Sequence, residues 1–186
     1  MKKIIVAASL FLFVFTTANA QITKGNWLMG GNGSYSRSNQ TSDFAAEKVT
    51  RLNLSPNVGY FFIDKLAGGI RAVFNYEHYK HSFATSRRTT FDFGPFARYY
   101  FLHPDKLVNL FSEAAVLINT FKADAIADNT YAIYSFTGGI AVFLNSSVAI
   151  EGGLNYELLS RQPHNTRVKT LAFKVGFQIH LQKEKE

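Results

Sequence analysis

Polar and apolar residues alternate along most of the chain after Gly25. Between 49 and 62, Leu52, Leu54, Val58, Tyr60 and Phe62 take even positions. Arg51, Asn53, Ser55, Asn57 and Gly59 take the odd ones. A period of two puts these sets on opposite faces of a strand. Between 66 and 79, Leu66, Ile70, Phe74 and Tyr76 oppose Ala67, Arg71, Asn75 and Glu77. Between 91 and 101, Phe91, Phe93, Pro95, Tyr99 and Phe101 oppose Asp92, Gly94, Phe96, Arg98 and Tyr100. Segments 26–36, 109–120, 131–144, 147–158 and 168–181 read likewise, with Glu113, Glu151, Glu157 and Lys174 on their polar sides. The pattern predicts eight strands of roughly 10 to 14 residues, long enough to cross a bilayer at a tilt.

The expected connections alternate in length. Those at 63–65, 102–106 and 145–146 are short. Those at 37–48, 80–88, 121–129 and 160–167 are longer and polar. Short turns at one end and long loops at the other are the layout of a transmembrane barrel. An internal repeat fits it: "SPNVGYFF" (55–62) and "GPFARYYF" (94–101) share Pro, Tyr and Phe at equal spacing, and "GGIAVFL" (138–144) is a weaker copy. A hairpin of about 40 residues repeated in this way makes an up-and-down meander. The expected fold is all-β: an eight-stranded antiparallel up-and-down transmembrane β-barrel. Pro56 and Pro95 lack an N–H, so bulges or breaks in the ladder are expected at both.

Alternation alone does not say which face points inward. A soluble lipocalin-like barrel would put its charges in water. Three observations favour charges inside. Trp27, Tyr60, Phe62, Tyr76, Tyr99, Phe101 and Tyr156 gather at strand ends, as aromatic girdles do at bilayer interfaces. Arg51, Arg71, Arg98 and Lys174 balance Glu77, Asp92, Glu113, Glu151 and Glu157 on the polar face, a charge network for the lumen. Outward mid-strand positions carry no charge, and a Lys or Arg there would cost roughly 2–4 kcal/mol at the bilayer midplane. An eight-stranded interior is just wide enough for side chains to fill, so a plugged lumen is expected.

Residues 1–20 have the form of an export signal: Lys2 and Lys3, an apolar run over 4–15, then Ala18-Asn19-Ala20. Cleavage after Ala20 would leave the barrel domain, 21–186. No Cys is present, which excludes disulfides and a lipid-modified N-terminal Cys. The formal net charge is +7, with no basic run to grip nucleic acid.

On these residues the chain resembles the small eight-stranded outer-membrane β-barrel family, of the OmpX/OmpA type. The tandem "SPNVGYFF" and "GPFARYYF" look most like the porin-like barrel proteins of Bacteroidetes. Lys174, Gly176, Ile179 and Leu181 are similar to the C-terminal signal read by the barrel-assembly machinery, though the usual terminal Phe is absent. The resemblance implies a monomer in the outer membrane of a Gram-negative bacterium, with a structural or surface-interaction role, no cofactor and no catalysis.

Two alternatives are a lipid-modifying outer-membrane enzyme and a narrow pore for ions or small solutes. Glu77, His78, His81 and Ser82 lie close in sequence, but adjacent residues of a strand face opposite sides. Their spacing marks no metal site. His103 and His164 read as turn and loop residues, and His180 as inward and solvated. Arg87, Arg88, Arg161, Arg167 and Lys169 are candidates for lipopolysaccharide phosphates.

Overall fold

The computed structural model describes residues 22–42, 45–81, 85–119, 131–161 and 166–182. Eight strands run in chain order: β1 (Trp27–Ser42), β2 (Ala45–Ile63), β3 (Leu66–His81), β4 (Thr85–Tyr100), β5 (Val108–Asn119), β6 (Tyr131–Phe143), β7 (Val148–Arg161) and β8 (Thr166–Leu181). Each pairs antiparallel with the next, and β8 pairs with β1 to close the barrel.

Register follows from the alternation, because a slip of one residue would turn every side chain to the other surface. Leu54, Ile70, Phe93, Val116, Phe136, Leu154 and Phe173 all point outward and are exposed. Ile70 and Phe173 are each 64% exposed, while Arg71 and Arg98 on the inner face are 2% exposed. A soluble monomer rarely shows an apolar surface wider than a few hundred Å². Here the exposed apolar side chains come from all eight strands.

Both prolines sit at gaps. The β2–β3 ladder pairs Leu54 with Phe74 and resumes at Asn57 with Arg71. The β4–β5 ladder pairs Phe93 with Ile118 and resumes at Phe96 with Ala115. On their other sides Pro56 pairs with Gly31 and Pro95 with Ile70 without interruption. A residue's N–H and C=O address one antiparallel neighbour, so a missing N–H disturbs one ladder and spares the other. Register is unchanged across each gap; the one register shift among the described pairs, between Phe61 and Ile63, lies beside the β2–β3 turn.

The strands are longer than their hydrophobic pattern. Most of 37–48 and 80–88, and the two ends of 160–167, expected as loops, are paired strand in the β1–β2, β3–β4 and β7–β8 hairpins. Where both faces of a hairpin meet water, polar residues on both sides still permit a backbone ladder, so alternation fades before the strand does. The expected loop at 121–129 and the expected export signal at 1–20 lie outside the described residues.

The short-turn end is tied off by backbone hydrogen bonds. Lys65 N donates to Ile22 O at 2.8 Å, Gly25 N to Phe61 O at 2.9 Å, and Tyr100 N to Lys65 O at 2.9 Å. These bonds fold 22–26 across the mouth and set the Ile22 side chain inside it, fully buried.

Candidate functional site

Inside the barrel the charged residues form separate groups. The deepest joins four strands. Arg71 on β3 grips Glu113 on β5 with both terminal nitrogens, Nη1 to Oε1 and Nη2 to Oε2, the latter at 2.8 Å. Arg98 on β4 donates from Nε to Glu113 Oε2 at 2.9 Å and from Nη1 to Glu151 Oε1 on β7 at 2.6 Å. Arg98 also donates to the Tyr100 hydroxyl at 3.1 Å, and that hydroxyl lies 3.3 Å from both Glu151 Oε1 and His180 Nε2. Aromatic faces hold the guanidinium groups: Arg98 Cζ is 4.5 Å from the Phe111 centroid, and Arg71 Cζ is 5.3 Å from that of Phe96. Gly59 makes room for Phe96, since a Cβ there would lie 2.9 Å from its Cζ.

Two cations facing two anions leave this quartet formally neutral. Neutrality matters because a lone charge here, cut off from water, costs several kcal/mol. The bidentate geometry engages both Glu113 oxygens and both terminal nitrogens of Arg71.

The remaining charges predicted for the lumen lie elsewhere. Lys174 on β8 reaches Glu157 on β7 at 3.0 Å, and Glu157 accepts from Asn155, which accepts from Ser135 and Thr137. Asp92 accepts from Asn75 at 3.2 Å, and Asn75 accepts from Asn53. Arg51 and Glu77 pair at 3.0 Å at the long-hairpin end, with the Arg51 side chain 48% exposed, and Tyr79 donates to the same Glu77. The expected mid-strand network is thus several local networks. Alternation gives a residue's face but not its height against strands across the tube.

Below the quartet, toward the short turns, lies an apolar base. Ile22, Leu28, Phe61, Tyr100 and Phe143 are buried together. His180 is 0% exposed among them, its ring 5.2 Å from that of Phe143 and 5.9 Å from that of Phe61. This corrects its reading as a solvated residue: the base excludes the water that a mouth would have supplied. Phe61 continues the odd-numbered face of Asn57 and Gly59, but nothing in the sequence signalled a second plug.

Trp27, Tyr60, Phe62, Tyr99 and Phe101 all lie at the short-turn end. Trp27 meets Tyr60 edge-on at 5.4 Å, Tyr60 meets Phe62 at 5.6 Å, and Tyr99 meets Phe101 at 5.1 Å. Tyr76 and Tyr156 point outward nearer the other end. Lys174, Gly176, Ile179 and Leu181 lie on β8; Ile179 and Leu181 pair with Met29 and Trp27 across the closing seam.

Glu77 and His78 are turned to opposite surfaces: Glu77 bonds Arg51 and Tyr79 within, while His78 meets Tyr76 without. Among the described residues no group of three or more His, Asp or Glu is arranged for a metal. Ser82, His164 and the side chains of His81, Arg161 and Arg167 lie outside the described residues. His103 caps its turn by contacting Asp105 at 2.8 Å, and this hydrogen bond holds the exposed Asp105 carboxyl below its ordinary range.

No family model matches the chain, and no curated protein matches it by sequence. Among solved structures, it is similar to the outer membrane protein OprG from Pseudomonas aeruginosa, with 12% identity and a TM-score of 0.57 over 89% of this chain and 100% of that one. It is also similar to Neisserial surface protein A (NspA), with 19% identity and a TM-score of 0.50 over 84% and 97%. The outer membrane enzyme PagL aligns over 83% and 98% at 13% identity, with a TM-score of 0.43, too loose to bear on chemistry. At such identities the likeness is one of fold: an all-β, eight-stranded antiparallel closed barrel of the kind found in outer-membrane proteins.

Proposed function

We propose that the chain is an integral protein of a Gram-negative outer membrane, closed to through-passage, that works by holding long hairpins above the membrane surface. The observation that carries this reading is the reversal of inside and outside: apolar side chains from every strand face outward, and the fully buried Arg71 and Arg98 face one another's acids within. Lipid is the solvent that makes such an arrangement stable. The short-turn end then faces the periplasm, with Trp27, Tyr60, Phe62, Tyr99 and Phe101 as the inner girdle and Tyr76 and Tyr156 in the outer one. Residues 1–20 serve as a cleaved export signal, and the end of β8 is read by the assembly machinery.

The quartet and the apolar base are two stacked barriers, which speaks against an open pore. The opposed directions of Glu77 and His78 speak against a hydrolytic centre there. What remains is a structural or surface-interaction role for a monomeric barrel. Fractionation into the outer membrane, with heat-modifiable gel migration, tests the location; recovery as a soluble periplasmic protein would reject it. Absence of single-channel events in planar bilayers, and of lipid turnover, is the expected result for the role. Steady conductance or turnover by the purified barrel would overturn it.

A further inference from the structure

The outward surface of the long hairpins carries a cluster of bases that the lumen does not use. In register, His78 on β3 stands opposite Arg87 on β4, and Lys80 follows His78 on the same face of β3. Lys80 and Arg87 are exposed, and His78 Nε2 is sheltered with no hydrogen bond to another described residue.

Acids are missing from this surface among the described side chains. Glu77, Asp92, Glu113, Glu151 and Glu157 all alternate to the inner face, and Glu77, the sequence neighbour of His78, is engaged inside by Arg51 and Tyr79. Among the described side chains the cluster has no carboxylate beside it on this face.

Its height points to the partner. Two residues nearer the barrel's middle, the outward row on these strands reads Leu52, Tyr76 and Thr89. The Tyr76 ring meets the His78 imidazole edge-on at 6.5 Å. An amphipathic ring such as Tyr76 suits the boundary between acyl chains and headgroups, so bases just above it stand at the level of headgroup phosphates. Cross-strand neighbours lie about 5 Å apart, close enough for His78 and Arg87 to donate to one phosphate.

We propose that His78, Lys80 and Arg87 form a binding site for the phosphate of a phosphorylated outer-leaflet lipid. The site rests on the outer-membrane reading above. Arg88, although next to Arg87, belongs to the inner face, where it stands opposite Glu77.

The test is titration of the purified, folded barrel in detergent with bisphosphorylated lipid A, with the same lipid dephosphorylated, and with inorganic phosphate, followed by native mass spectrometry. Bisphosphorylated lipid A is expected to bind, its dephosphorylated form at least about tenfold more weakly. The combined H78Q, K80Q and R87Q variant is expected to lose that preference, and R88Q to keep it. Equal binding of both lipids to the wild-type protein would overturn the site without any variant being needed. Equal loss in R88Q would overturn the assignment of faces. Full competition by inorganic phosphate at matched concentration would overturn the lipid as its source. A barrel that reaches the outer membrane yet ignores lipid phosphates would remove this site and leave its location standing.

Discussion

Glu113 stands between two arginines: Arg71 takes both of its oxygens in a bidentate grip, and Arg98 shares one of them at 2.9 Å. Removing its carboxylate leaves the quartet with two guanidinium groups and one acid, Glu151. Glu113→Ala is expected to destabilise the folded barrel by about 3–5 kcal/mol, measured by urea unfolding in micelles. Adding Arg71→Met should recover much of the loss, because Arg98 and Glu151 then remain as a neutral pair. A double variant as weak as the single one would show that charge balance is not what matters there.

The apolar base should behave as an ordinary core despite its position in a membrane tube. Phe61→Ala is expected to cost about 3–5 kcal/mol in the same assay. It should not open the barrel to ions, since the quartet stands above it. Channel events from this variant alone would mean that the quartet is no barrier.

At Gly94 an added Cβ would run into the backbone carbonyl of Val116, on the side where Pro95 interrupts the ladder. A backbone oxygen yields less readily than a side-chain tip. Gly94→Ala is expected to lose about 1–3 kcal/mol, and an unchanged urea midpoint would show that the gap is slack.

The His103–Asp105 turn predicts a small pH effect with a definite sign. The folded carboxyl is held below its ordinary range, first by the hydrogen bond with His103. Whatever stability this contributes is present above the unfolded pKa and lost as pH falls through the folded one. In His103→Ala the Asp105 carboxyl resonance should titrate at higher pH than in the wild-type protein. No movement would break the link between the two residues.

Much of the architecture is legible in the alternation. It separates Ile70 from Arg71 and Phe93 from Arg98 before any coordinates are known, because a barrel wall has two unlike surroundings. It falls silent where the surroundings become alike: at 37–42 both faces are polar and at 45–48 neither carries a large apolar side chain, so paired strand read as loop. It is equally silent on distances across the lumen. Arg98 and Glu151 are 53 positions apart in sequence and 2.6 Å apart in space, and only strand tilt and stagger bring them together. His180 shows the same limit, since its burial depends on Phe61 and Phe143 from strands far away in the chain.

The seventh strand supplies the last member of the quartet. A chain that has formed only its first six strands holds Arg71, Arg98 and Glu113 with one positive charge in excess. Closing the cylinder brings Glu151 and cancels it, so the final hairpin completes the electrostatics as well as the wall. An incomplete tube is thereby marked as unfinished by its own residual charge.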